Sequence, residues 1–389
     1  MNIRFYTIVK RRSYPVKTIA LMVHAAVVLA ISYAIVSCFV LSTKSLSFFS
    51  VLDESGDVPM SDMYLFINSR KGPARLDTSI TLVCIDECKD RFEIAQVIEQ
   101  IDAMQPKVIG LDVFFRNLKE PAADRMLENT LRKTRNLVIS CILEDELSEG
   151  SDQYHIRNRN FFVADEDAVF TEGFVNLDGD GFSTVRSFTP TLFWQKDTLY
   201  SFAVQIVRLC DNASFQKLLQ RSGNLEVINF QPLVFQSLNK NEISENPELI
   251  TGKIVLIGSL SEDLHKTPIN PQMHGMEIHA HTISTILEEK YIDRLDNAWT
   301  KGLNLLLCYL FSLFCWIATT RIKRGVGILV KLAQVAILLS AFFAGYFLFK
   351  HYRIDLTYTR SIIVMGVLIL IADIYNICIA LLFQKTSNS

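Results

Sequence analysis

The 389-residue chain carries almost no excess of one charge. Its 39 Lys and Arg stand against 41 Asp and Glu, a formal net charge of −2. Nucleic-acid binding needs a basic stripe or a strongly positive balance, so nucleic acid is not an expected partner. Catalytic signatures are also missing: there is no G-x-S-x-G elbow, no G-x-x-x-x-G-K-[ST] loop and no H-E-x-x-H. Gly252, Lys253 and Gly258 flank one strand, but not in the order that cradles phosphate. Nothing in these patterns calls for a cofactor. No internal repeat and no low-complexity segment is visible between Ser42 and Lys301, which excludes a repeat array there.

Cysteine is similarly uninformative. Cys38, Cys308, Cys315 and Cys378 fall in apolar runs, where they read as small hydrophobes. Cys84 and Cys88 form C-x3-C without a matching second half, so they do not make a metal motif. Cys84 and Cys141 each lie in an apparent strand and are expected as possible neighbours.

What the sequence does have is four long apolar runs: 18–41, 302–320, 328–349 and 361–383. Each is close to the roughly 20 residues that cross a bilayer as a helix. Arg4, Lys10, Arg11, Arg12 and Lys17 precede the first run, and Arg321, Lys323 and Arg324 separate the second from the third. By the positive-inside rule both clusters belong on the cytoplasmic side. The expected division is a basic cytoplasmic N-terminus (1–17), a first helix, an exported domain (42–301), three further helices and a short cytoplasmic tail (384–389). Residues 35–38, Ile-Val-Ser-Cys, also resemble a lipoprotein cleavage box. The apolar run continues past Cys38, which favours an uncleaved helix.

Within the exported part, strands and helices alternate. Near-continuous apolar runs at 80–86, 108–115, 137–143 and 253–259 read as buried strands. Helical periodicity marks 91–105, 122–133, 201–209 and 276–290. The segments EGFVNLD and TVRSFTP suggest a hairpin between them. The fold class is therefore α/β, a mostly parallel sheet covered by helices, with one N-terminal and three C-terminal transmembrane helices.

Five segments in this order resemble the CHASE2 family: TLVCIDE, KVIGLDVFF, GFVNLDGDGFSTVR, YSFAVQIV and GKIVLIGSLSEDLHKTPINPQMHGMEIHAHTI. The resemblance spans about residues 80–289 and shares the pattern of one helix before and three after. It implies an extracytoplasmic sensory module of a bacterial inner-membrane receptor, multi-pass, with both termini cytoplasmic. The implied partners are a small ligand or a periplasmic protein, membrane lipid, and a separate cytoplasmic or membrane protein that receives the signal. A homodimer is implied by analogy. Family members usually continue into a cytoplasmic output domain; here six residues follow Phe383, so the signal is expected to leave through a partner. Two rival readings stand beside sensing: an envelope scaffold, and a metal-dependent hydrolase built on Asp86, Asp112, Asp263 and nearby histidines.

Ligands of open parallel sheets bind beyond the carboxyl ends of the strands. Asp86 and Glu87 end the first strand, Asp112 lies near the end of the second, and the loop after 253–259 carries Asp263, His265 and Thr267. These are the candidate ligand-binding residues, suited to a cation or to amines and hydroxyls. Asn176, Asp178, Asp180 and Gly181 have the N-x-D-x-D-G spacing that opens a calcium loop. The twelfth position is Ser187, where a bidentate acid is required. Asp178 and Asp180 are thus minor metal candidates. Gly179, Gly181 and Arg186 read mainly as parts of a structural turn. In the membrane, Asp373 is a costly charge. It is expected to pair with His24, at similar depth, or with Asn376, or to meet a helix of a partner protein.

Overall fold

The computed structural model describes residues 14–44, 60–145, 154–158, 160–164, 170–177, 184–194, 197–221, 223–295, 297–321 and 327–386. The chain divides into two compact units, 65–292 and the flanking residues up to 64 together with 293 onward.

The inner unit is a sheet of mostly parallel strands. Its strands are β1 (Arg75–Cys84), β2 (Val108–Asp112), β3 (Leu137–Asp145), β4 (Tyr154–Asn158), β5 (Thr171–Phe174), β6 (Leu233–Asn239) and β7 (Ile254–Gly258). They lie in the order β6-β1-β7-β2-β3-β4, with β5 also pairing β3. Only the β3–β4 pairing is antiparallel. The connection from β1 to β2 runs through α3 (Arg91–Ala103), and that from β2 to β3 through α4 (Pro121–Lys133). One face of the sheet packs its Val83, Ile109, Leu111, Ile139, Val255 and Ile257 against Ala95, Ile98, Ile101, Leu127 and Leu131 of these helices. Arg91 and Asp124 close the top of this layer as a buried ion pair at 2.5 Å. Burying both partners together avoids leaving either charge unpaired.

The other face is covered by α5 (Phe202–Cys210) and α7 (Gly275–Leu287), with α6 (Asn212–Leu219) packed against both helices. Close approach there depends on two glycines. A Cβ on Gly110 would lie 2.6 Å from Ile206 and 2.9 Å from Phe202, and one on Gly173 would lie 2.6 Å from the Phe202 Cα. Strand β7 is buried throughout, which explains its unbroken apolar run.

Three expectations change. The segments around the N-x-D-x-D-G motif do not form a hairpin. Thr171–Phe174 runs parallel to β3, and Ser187–Phe188 pairs with Glu226–Val227. Cys84 and Cys141 are not neighbours, because β7 and β2 lie between β1 and β3. Three interstrand spacings put them about 14 Å apart, beyond disulfide reach. The edge strand β6 has no counterpart in the sequence reading.

The outer unit holds α1 (Tyr14–Lys44), the first turn of α2 (Met60–Ser69), α8 (Ala298–Arg321), α9 (Gly327–Tyr352) and α10 (Thr359–Thr386). Among the described residues four helices are long and apolar enough to cross a membrane: Thr18–Cys38, Ala298–Thr320, Ile328–Tyr352 and Thr359–Leu382. Helices α1, α8 and α10 share a core of Val28, Leu29, Val36, Phe311, Trp316, Val364 and Leu368.

Polar groups inside this bundle are paired in a different way from the expected one. Asp373 meets Lys331 Nζ at 2.6 Å, not His24 or Asn376. His24 Nδ1 is hydrogen-bonded to the Tyr375 hydroxyl at 3.0 Å and lies against the Trp316 ring.

The turn between α9 and α10 is a junction. On one side Asp293 N–H donates to the Arg353 carbonyl and Leu295 N–H to the Asp355 carbonyl, both at 2.8 Å. Thr357 Oγ1 donates back to the Leu295 carbonyl at 2.7 Å. On the other side Met60 N–H donates to Thr359 Oγ1 at 2.9 Å, and the Tyr64 and Tyr358 hydroxyls meet at 2.6 Å. Within this unit one turn therefore carries hydrogen bonds from both 60–64 and 293–295.

Candidate functional site

Register brings the candidate acids together. Cys84 of β1 pairs with Gly258 of β7, and Gly258 pairs with Asp112 of β2. The three strands therefore end in one row. Asp86 lies two residues beyond that row, Asp112 is in it, and the loop leaving Gly258 carries Ser259 to Asp263. A Cβ on Gly258 would sit 3.0 Å from the Met276 sulfur and 3.1 Å from the Asp112 carbonyl, so glycine keeps the strand ends and α7 close.

Over this row opens a crevice of about 600 Å³. Its polar lining includes Asp86, Asp112, Arg116, Glu262, Asp263, His265 and His279; its apolar lining includes Ile85, Phe114, Ile142 and Met276. That size and mixture match small-molecule sites. Asp86, Asp112 and Asp263 thus share one site. Glu87 and Thr267 do not line it. Glu87 is exposed, and Lys240 Nζ reaches its carbonyl rather than its carboxylate. The Thr267 hydroxyl donates to the Asn270 carbonyl at 2.8 Å and closes a local turn.

The acids differ in how they are held. Burial raises the Asp86 pKa, but hydrogen bonds outweigh it and hold the carboxyl below the usual range. Two of the donors are the Cys84 thiol at 3.1 Å and Leu260 N–H at 3.0 Å. Asp263 accepts from His265 Nε2 at 2.8 Å. That bond keeps its carboxyl below the ordinary value against the effect of burial. Asp263 has a left-handed backbone, φ 60°, and its carbonyl accepts Gly275 N–H. A Cβ on Gly275 would collide with Asp263 Oδ2, so this glycine gives the carboxylate its place.

Asp112 is held by nothing of the kind. Among the described residues its carboxylate accepts no hydrogen bond, and burial, reinforced by the Asp263 charge, pushes its pKa up to about 7. Opposite it, His279 Nε2 stands 4.0 Å from Asp112 Oδ2, with side-chain exposures of 7% for the histidine and 15% for the acid. His279 makes no hydrogen bond; its ring packs edge-on to Phe202. Burial drives its pKa down to about 4. At neutral pH it is an uncharged acceptor or donor.

Arg116 has no counterpart among the candidates from the sequence, where His279 stands only as one of the histidines near the three acids. The signal for His279 was available: it sits one turn into a helix that begins directly after the site loop, where side chains look back at the strand ends. Among the described residues no three His, Cys, Asp or Glu side chains gather in a way that could hold a metal ion. Asp178, Asp180, Gly179 and Gly181 lie outside the described residues. Asn176, the first position of that motif, spends its side-chain amide on the Leu143 backbone, with two hydrogen bonds of 2.9 Å. Arg186 donates to the Thr184 carbonyl at 3.3 Å.

A parallel α/β domain with an open crevice at its strand ends lies in the sequence between one leading and three trailing helices that are long and apolar enough to cross a membrane. The CHASE2 domain family matches residues 34–320, about three quarters of the chain. The protein belongs to the CHASE2 family, an extracytoplasmic sensor domain. Comparison with curated proteins and with solved structures gives no match.

Proposed function

We propose that this protein is a multi-pass receptor of the bacterial inner membrane whose α/β domain binds a small molecule outside the cytoplasm. Binding then acts through the helices on a partner protein in or under the membrane. The observation that carries the reading is the crevice, where Asp112 and His279 face one another without hydrogen bonds. Both side chains line the crevice and keep polar atoms open to it, so they are placed to meet whatever enters.

Orientation rests on the basic clusters 4–17 and 321–324, which place both termini in the cytoplasm. The relay is assigned to the apolar helices that flank the α/β domain in the sequence. A ligand shifts the balance between two receptor states by its differential affinity for them.

The test is thermal unfolding of the full chain in detergent against a chemically mixed library of periplasmic small molecules. At least one compound should raise the melting temperature in a saturable way, and Asp112→Asn should abolish that rise. A library without any Asp112-dependent compound overturns the pocket reading.

A further inference from the structure

We infer that the crevice is built for the protonated primary amine of a small molecule with an aliphatic body, its –NH3+ bridging Asp112 and His279. The inference rests on the pocket reading above and adds the chemistry of the ligand.

Three observations lead to it. Among the described residues neither Asp112 nor His279 has a side-chain hydrogen bond, and the His279 side chain is only 7% exposed. Both can serve as acceptors at neutral pH, so what the pair needs is one group rich in donors. The separation sets the size of that group. A nitrogen at about 2.8 Å from two acceptors 4.0 Å apart subtends an angle of about 90°. An ammonium, with three donors and no acceptor, spans that angle with two N–H groups. A zinc-like ion does not: bonds of about 2.0–2.2 Å at tetrahedral angles bring oxygen and nitrogen ligands to about 3.4 Å.

The surroundings agree. Asp86, Glu262 and Asp263 give the crevice a negative field with Arg116 as its counter-charge, and Asp86 and Asp263 already have their own donors. They attract a cation without competing for it at short range. Ile85, Phe114, Ile142 and Met276 supply the wall for an aliphatic body.

The test uses the full chain in lipid nanodiscs, titrated calorimetrically with 1-aminobutane, 1,4-diaminobutane, 1,4-butanediol, tetramethylammonium and zinc chloride. The expected result is saturable binding of the two primary amines, at least tenfold tighter than the diol and absent with tetramethylammonium, which has no N–H. Asp112→Asn should abolish amine binding without lowering the melting temperature of the free protein. His279→Gln, which keeps a donor and acceptor, should weaken it several-fold and serves if the first variant does not fold. Diol binding as tight as diamine binding and lost in Asp112→Asn would overturn the amine and leave the pocket standing. Stoichiometric zinc binding lost in both variants would replace the amine with a metal. If none of the five binds, the inference fails, and the library screen alone decides the pocket.

Discussion

The Asp112 carboxylate and the His279 imidazole face each other across 4.0 Å, and neither makes a hydrogen bond. One is an acid and the other a base, yet burial works against charge on both, raising the first and lowering the second. At neutral pH His279 is therefore uncharged, and Asp112 releases its proton at a far higher pH than Asp86 and Asp263 beside it, which stay ionised. Neighbouring carboxyls whose environments push their pKa values apart are a pattern that functional sites often show.

Asp112 should make the protein less stable as pH rises. Its folded pKa of about 7 lies above the unfolded value of 3.8, so between these values the folded chain keeps a proton that the unfolded chain has released. Stability from this group is present below about pH 4 and is lost by about pH 7. The groups around it are Asp86, Arg116, Glu262, Asp263, His265 and His279. Asp112→Asn removes the titration. Thermal unfolding should show no gain at pH 4 and a gain of about 1–3 kcal/mol at pH 8. An equal effect at both pH values would contradict it.

His281 should have the opposite slope. It is buried between Phe230 and Phe235, its Nδ1 has no partner, and burial lowers its pKa to about 4 against the weaker pull of Asp77. Between about pH 4 and 6.5 the unfolded chain binds the extra proton, so acidification destabilises the fold. His281→Leu removes both the titration and the orphaned nitrogen. Relative to wild type it should be about 2 kcal/mol more favourable at pH 5 than at pH 8, measured by chemical denaturation at each pH.

Much of the α/β layer was legible because its central strands are buried on both faces. An unbroken run such as 254–258 has few other homes. The meeting of Asp86, Asp112 and Asp263 was legible for the same reason: each follows a buried strand, and parallel strands end on one side. Strand β6 was not, because Leu233–Asn239 is mostly half-exposed and carries Gln236 and Ser237, so its pairing with β1 is a tertiary decision. Glu87 was misjudged by one position: the chain turns after Asp86, and the next side chain faces away. The partner of Asp373 was misjudged because depth was compared without rotation. Tyr375, which does meet His24, lies about 200° around the helix from Asp373.

Gly110 should tolerate no side chain. A Cβ there meets Ile206 at 2.6 Å, Leu256 at 2.9 Å and Phe202 at 2.9 Å, all in the packed layer between β2 and α5. Phe202 is fully buried, so it has little room to yield. Gly110→Ala should cost about 1–3 kcal/mol by overpacking. Combining it with Ile206→Val, which removes the methyl in closest contact, should recover part of the loss. Urea unfolding of the three variants decides this; an unrescued double variant would point to backbone rather than side-chain conflict.

The Lys331–Asp373 pair predicts a particular pattern of damage within the helical bundle. Lys331 Nζ also donates to the Ile369 carbonyl at 3.1 Å, so the lysine ties α9 to α10 at two points. Each side chain is about 40% exposed on the helix surface, where the surrounding medium of a membrane is hydrocarbon. A charge left there alone is far more costly than a matched pair or two apolar residues. Asp373→Ala and Lys331→Met should therefore each weaken the bundle by about 2–3 kcal/mol, whereas the double variant should lose less than either single one. Unfolding in mixed micelles with rising dodecyl sulfate measures all four corners of the cycle. Additive losses would mean that the two charges act independently, and that α9 is held to α10 by apolar packing alone.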